Sequence, residues 1–146
     1  MKRQSDIEIY VKGCPNDVLV AWIEKIFGKL KRVPDTSYMI IYDSEVCRII
    51  ITPSDYSFTS VNFCSAETPW ATHVDCGRQA VRDLNCIVHC DPGQNFPEVD
   101  PLSDIFLEIS ADGERLVELE DIEQEAARLE KENMKAARKS NDPKAP

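Results

Sequence analysis

No apolar run in this 146-residue chain approaches the roughly 20 residues a helix needs to cross a bilayer. A membrane-embedded role is therefore not expected. Glycine is scarce, at five residues, and Gly93 and Gly113 stand alone as turn glycines, so a Gly-rich phosphate cradle is excluded. The alternating acid pattern of an EF-hand is missing, and no catalytic fingerprint names a reaction. Internal repeats are absent as well. The first residues, MKRQSDIEIYVKG, begin basic but turn acidic before any apolar segment, so no signal peptide is expected and the expected location is cytoplasmic.

Charge is plentiful, and it is unevenly placed. The net charge is −9. Residues 1–33 carry a net +3, residues 34–120 a net −12, and residues 121–146 balance to zero. Such a field repels nucleic acid and anionic membrane and attracts basic partners. Six cysteines are present, at 14, 47, 64, 76, 86 and 90. Four of them fall in expected strands or a helix among apolar neighbours, where a reduced thiol packs as a small hydrophobe.

Periodicity supplies the elements. Asp6–Lys12 alternates, with Ile7, Ile9 and Val11 on one side, as a half-buried strand does. Asn16 is an expected N-cap, and Asp17–Lys31 has apolar residues at helical steps, ending before Pro34. Three strands come next, Tyr38–Tyr42, Val46–Thr52 and Phe58–Cys64, the first two joined at Asp43-Ser44-Glu45. The middle one is expected to have both faces covered. A second helix has two possible starts, Thr68-Pro69 or Thr72 with Asp75, and Gly77 marks close packing against the sheet. Arg78 and Arg82 are expected to pair with Asp75 and Asp83. Then come a short strand Cys86–Cys90, a loop, and a hairpin of Ile105–Ser110 and Arg115–Leu119 turning at Asp112-Gly113. From Asp121 the chain reads as a solvent-exposed helix, with Ser140–Pro146 disordered.

This order predicts an α+β fold: a mainly antiparallel sheet of about six or seven strands, two helices packed on one face, and an exposed C-terminal helix. Residues 1–120 are expected to form one domain, and 121–146 the helix and tail.

Several residues could carry chemistry. His73 with Cys76, and Cys86 with His89 and Cys90, loosely resemble zinc spacing. A strand would send Cys86 and His89 to opposite faces, however, so no metal or other cofactor is expected. A Cys–His nucleophile is disfavoured because the surrounding negative charge raises a thiol's pKa. The fourteen-residue loop Asp91–Asp104 is long for a compact domain. Its three prolines limit its freedom and so lower the ordering cost of binding. Phe96, Val99 and Leu102 are apolar anchors among Asp91, Glu98, Asp100 and Asp104. The alternative is that these three only hold the loop down. As an interface the loop assigns Asp91, Phe96, Glu98, Asp100, Leu102 and Asp104 to a basic protein partner.

Residues 77–109, GRQAVRDLNCIVHCDPGQNFPEVDPLSDIFLEI, resemble the ending of small acidic bacterial immunity proteins, which neutralise toxin domains encoded beside them. The resemblance implies a non-enzymatic inhibitor that forms a one-to-one complex with a basic toxin. Two other readings stand beside it: a small hydrolase or transferase using His73, His89 or a cysteine, and an adaptor docking through its C-terminal helix.

Overall fold

The computed structural model describes residues 6–33, 37–42, 45–64 and 68–140. The first strand, β1 (Asp6–Lys12), lies inside the sheet, and its alternation buries Ile7, Ile9 and Val11 almost completely. Helix α1 (Asn16–Phe27) carries Leu19, Trp22, Ile23 and Phe27 to the same core. Asn16 is its first helical residue rather than its cap; Pro15 holds the cap position without a side-chain bond. The helix also stops earlier than its periodicity suggests. Gly28 adopts φ 104°, a region glycine enters freely, and the chain leaves the helix there. Residues Lys31–Val33, expected as the end of the helix and the connection after it, form strand β2 instead.

The remaining strands are β3 (Ser37–Tyr42), β4 (Glu45–Pro53), β5 (Thr59–Cys64), β6 (Ile87–Cys90), β7 (Ile105–Ser110) and β8 (Gly113–Glu118). They make one eight-stranded sheet in the order β2-β3-β4-β5-β1-β6-β7-β8, antiparallel at every step. Strands β5 and β6 therefore run in the same direction on either side of β1. Such a connection needs a crossover, and helix α2 (His73–Leu84) supplies it. Thr72 caps α2, its hydroxyl accepting from the Asp75 N–H at 3.2 Å, and Asn85 closes it in a left-handed conformation.

Both helices lie on one face, over Ile49, Ile51, Val61, Phe63, Val88, Leu107 and Ile109. Trp22, Phe27, Phe63 and Trp70 form one aromatic cluster there, with centroids 5.0–5.9 Å apart. Gly77 permits the close approach of α2: a Cβ at that position would stand 2.9 Å from Ile109 Cδ1 and 3.1 Å from Val88 Cγ1. The outer face differs from expectation at β4, where Arg48 is exposed and Ile50 half-buried, so only one face of that strand is fully covered.

Helix α3 (Leu119–Ser140) begins directly after β8. It is mostly exposed, but Leu119, Ile122, Ala126 and Leu129 are half-buried, a stripe at helical spacing. Leu119 and Ile122 share a cavity with Tyr10, Phe58 and Phe106 of the outer face. The expected turn at Asp43-Ser44 and the residues after Ser140 lie outside the described residues, as does Pro34.

Candidate functional site

The loop between β6 and β7 is shaped by its own polar groups. Asp91 Oδ1 accepts from the Gly93 N–H at 2.7 Å, and Asp100 Oδ1 accepts from the Leu102 N–H at 2.9 Å. The Ser103 hydroxyl donates to the Asp100 carbonyl at 2.6 Å. These side-chain turns stand in for regular structure. The three expected anchors separate. Phe96 is half-buried and packs against the core, Val99 is half-buried, and Leu102 is 92% exposed. Phe96 therefore helps hold the loop down, while Leu102 is presented to solvent by the Asp100 turn.

Asp91, Glu98, Asp100 and Asp104 form no ion pair with any described residue. The loop is also tied to α3, because the Asp104 carbonyl accepts from the Leu119 N–H at 2.9 Å. Two depressions adjoin here, sharing Ser103 and Ile105. One, of about 350 Å³, includes Asp91 and Asp100 in its lining; the other, of about 460 Å³, is lined by Asp104, Glu118, Glu120 and Glu123. Neither lining contains a lysine or arginine. The last three of these acids come from β8 and α3, far along the sequence from most of the loop, and only the fold brings them beside Asp104.

A second arrangement lies on the outer face of the sheet. His89 is buried, stacked against Phe58 at 4.4 Å and facing Phe106 at 6.5 Å. Its Nε2 donates to Glu108 Oε1 at 3.0 Å, and Arg115 Nε donates to Glu108 Oε2 at 2.6 Å. Burial pushes the Glu108 carboxyl up, but hydrogen bonds from Arg115 and His89 outweigh it and leave the pKa below its ordinary value. Nearby, Tyr10 donates to Glu8 at 3.0 Å, and burial together with that carboxylate pushes its pKa up to about 12.

No family model, curated protein or solved structure matches this chain.

The other nominated residues are engaged in structure. The His73 Nδ1 accepts from the Glu8 N–H at 3.0 Å, just beyond the point where β6 stops pairing with β1. Burial lowers the His73 pKa, partly offset by Asp91, Glu8 and Asp6. Burial likewise pushes the thiols up: Cys86 to about 11, Cys90 to about 12, and Cys76 well above its ordinary value. These are packed thiols rather than nucleophiles poised at neutral pH. Cys90 and Val88 face α2, whereas His89 faces away, so β6 divides the Cys–His group between the two faces. Arg78, expected to pair within its own helix, reaches Glu114 on β8 instead, with bonds of 2.7 and 3.0 Å.

The His89–Glu108–Arg115 chain escaped sequence reading. Alternation does place Phe106 and Glu108 on one face of β7. Nothing in the sequence, however, shows that His89 is registered opposite Glu108, or Glu108 opposite Arg115.

Proposed function

We propose that this protein is a non-enzymatic binding protein of the immunity or inhibitor type, which docks a basic protein, a toxin domain in the first instance, through its acidic loop face. The observation that carries the reading is the pair of adjoining depressions whose acids meet no cation, with Leu102 exposed beside Asp100. An exposed apolar anchor ringed by charge suits a protein interface. A loop already shaped by Asp91 and Asp100 loses less freedom on binding.

The test is charge reversal. Glu98, Asp100 and Asp104 are changed to lysine together, and affinity is measured against a basic protein encoded beside this one. Steering by a single-sign surface makes association fast and salt-sensitive. The triple variant should lose about tenfold or more in affinity, chiefly through slower association, with an unchanged melting profile. An unaltered Kd would remove the loop from the interface. Because Asp100 also holds the Leu102 turn, Asp100→Asn serves as a control that removes charge and keeps the acceptor.

An enzymatic reading draws on one observation, the burial of His89 against Glu108 beside a cavity. The His73 Nδ1 is already engaged and the buried thiols are pushed up, so that reading rests on His89 alone.

A further inference from the structure

The sheet is open at both ends, and its two edge strands are protected unequally. Strand β2 is three residues long and carries Lys31, the short, lysine-bearing kind of edge that discourages pairing. Strand β8, at the other end, is six residues long, GERLVE, with neither lysine nor proline. It pairs residue for residue with β7 from Gly113 to Glu118, so no bulge turns it away. Among the described residues no other strand pairs with it.

The hairpin fixes which groups face outward. Ser110 and Gly113 close a two-residue turn and are hydrogen-bonded to each other, so the alternation of the ladder bonds Arg115 and Val117 to β7 as well. Glu114, Leu116 and Glu118 therefore present their main-chain groups to the free edge. The Glu118 N–H agrees, because it donates to Asp121 Oδ2 at 3.4 Å rather than to β7. The N–H and carbonyl groups of Glu114 and Leu116 are left without a described partner.

The same three residues share one face of β8. Leu116 stands between the two glutamates and is 42% exposed. Glu114 is held by Arg78, whereas Glu118 forms no ion pair with a described residue and lines a depression with Glu120 and Glu123. A second copy is a poor occupant, since antiparallel pairing about Leu116 sets Glu114 of one copy against Glu118 of the other. A strand with an apolar residue opposite Leu116 and a basic one two places along, opposite Glu118, complements this edge in either direction.

We propose that β8 accepts an extended segment of a basic protein as a further strand of the sheet, with an apolar residue facing Leu116 and a lysine or arginine facing Glu118. This deepens the reading above and rests on it for the partner's charge, but its contacts lie on β8 rather than on Glu98, Asp100 or Asp104, so either can fail alone.

The experiment is NMR on the isotope-labelled full chain, titrated with the capped peptide TKTVTKT, which reads the same in both directions, and with its acidic counterpart TETVTET. The basic peptide should give saturable shifts along β8 and slow hydrogen exchange at the Glu114 and Leu116 amides, with no such slowing at Arg115 and Val117. The acidic peptide should not bind. Glu118→Lys should weaken TKTVTKT by about threefold or more and let TETVTET bind. Leu116→Pro removes an outward N–H at an edge position that tolerates proline, and should abolish binding. No saturable shift on β8 overturns the proposal, as do Glu114 and Leu116 amides already protected in the free chain, which would mean that the edge is occupied. So does an affinity for either peptide unchanged by Glu118→Lys, which decides the matter even if Leu116→Pro fails to fold. The loop reading is decided separately, by the affinity of its triple variant for the neighbouring protein.

Discussion

At the scale of single residues, most of the polar groups the sequence draws attention to are holding the fold together. His73 is the clearest case. Its neutral Nδ1 satisfies the Glu8 N–H, and its folded pKa lies below its unfolded value. The stability from this contact is present above the unfolded imidazole pKa of about 6.5 and is lost as pH falls through the folded value. Glu108 acts in the same direction at lower pH. Its depressed pKa means that its contribution is present above the ordinary carboxylate pKa and disappears as pH falls through the folded one. Urea denaturation at a series of pH values should therefore show two successive losses on acidification. His73→Phe should abolish the upper loss, and Glu108→Gln should shrink the lower one, to which Glu114, held down by the hydrogen bond from Arg78, also contributes. At neutral pH, Glu108→Ala should cost about 1–3 kcal/mol, because it leaves the buried His89 donor without its partner.

At the scale of elements, the contacts that matter join helix to helix and helix to sheet. Trp22 of α1 donates to Asp83 of α2 at 2.9 Å, and Gln79 links Asp83 to the Trp70 indole. Asp83→Ala should lower stability by about 1–3 kcal/mol in chemical denaturation, since a mostly buried indole N–H is left unsatisfied. Reversing Arg78, which joins α2 to β8 through an exposed pair, should cost less than about 1 kcal/mol. Gly77 is the strictest position on α2. Gly77→Val forces a branched side chain against Val88 and Ile109 and should cost about 1–3 kcal/mol, read as a lower denaturation midpoint at unchanged slope. The alternation of β1 and the apolar stripes of both helices were legible because each reflects a one-sided contact with the core. The end of α1 was not. Its apolar period continues through Leu30, but Gly28 leaves the helix, and residues Lys31–Val33 gain more by pairing with β3.

At the scale of the whole molecule, α3 decides how the outer face is used. Truncation before Leu119 should uncover Phe58, Phe106 and the His89 stack, and so raise binding of a hydrophobic dye while lowering the melting temperature. Retention of both properties would mean that α3 is an independent appendage, free to serve as an adaptor helix. The acidic face is likewise a property of the assembled fold. Loop acids read from sequence supply about half of it, and Glu118, Glu120 and Glu123 complete it because the Asp104 carbonyl pins the start of α3 beside the loop.

The sequence by itself determined the α+β class, the core faces of β1, α1 and α2, and the acidic excess of the middle of the chain. Each of these depends on local periodicity or on composition. Only the tertiary structure decided the eight-strand order, the partner of Arg78, and the seat of His89 between Phe58 and Phe106 above Glu108. Those outcomes depend on which strands become neighbours and in what register, and pairing between strands distant in the chain leaves no mark on the spacing of residues within either one.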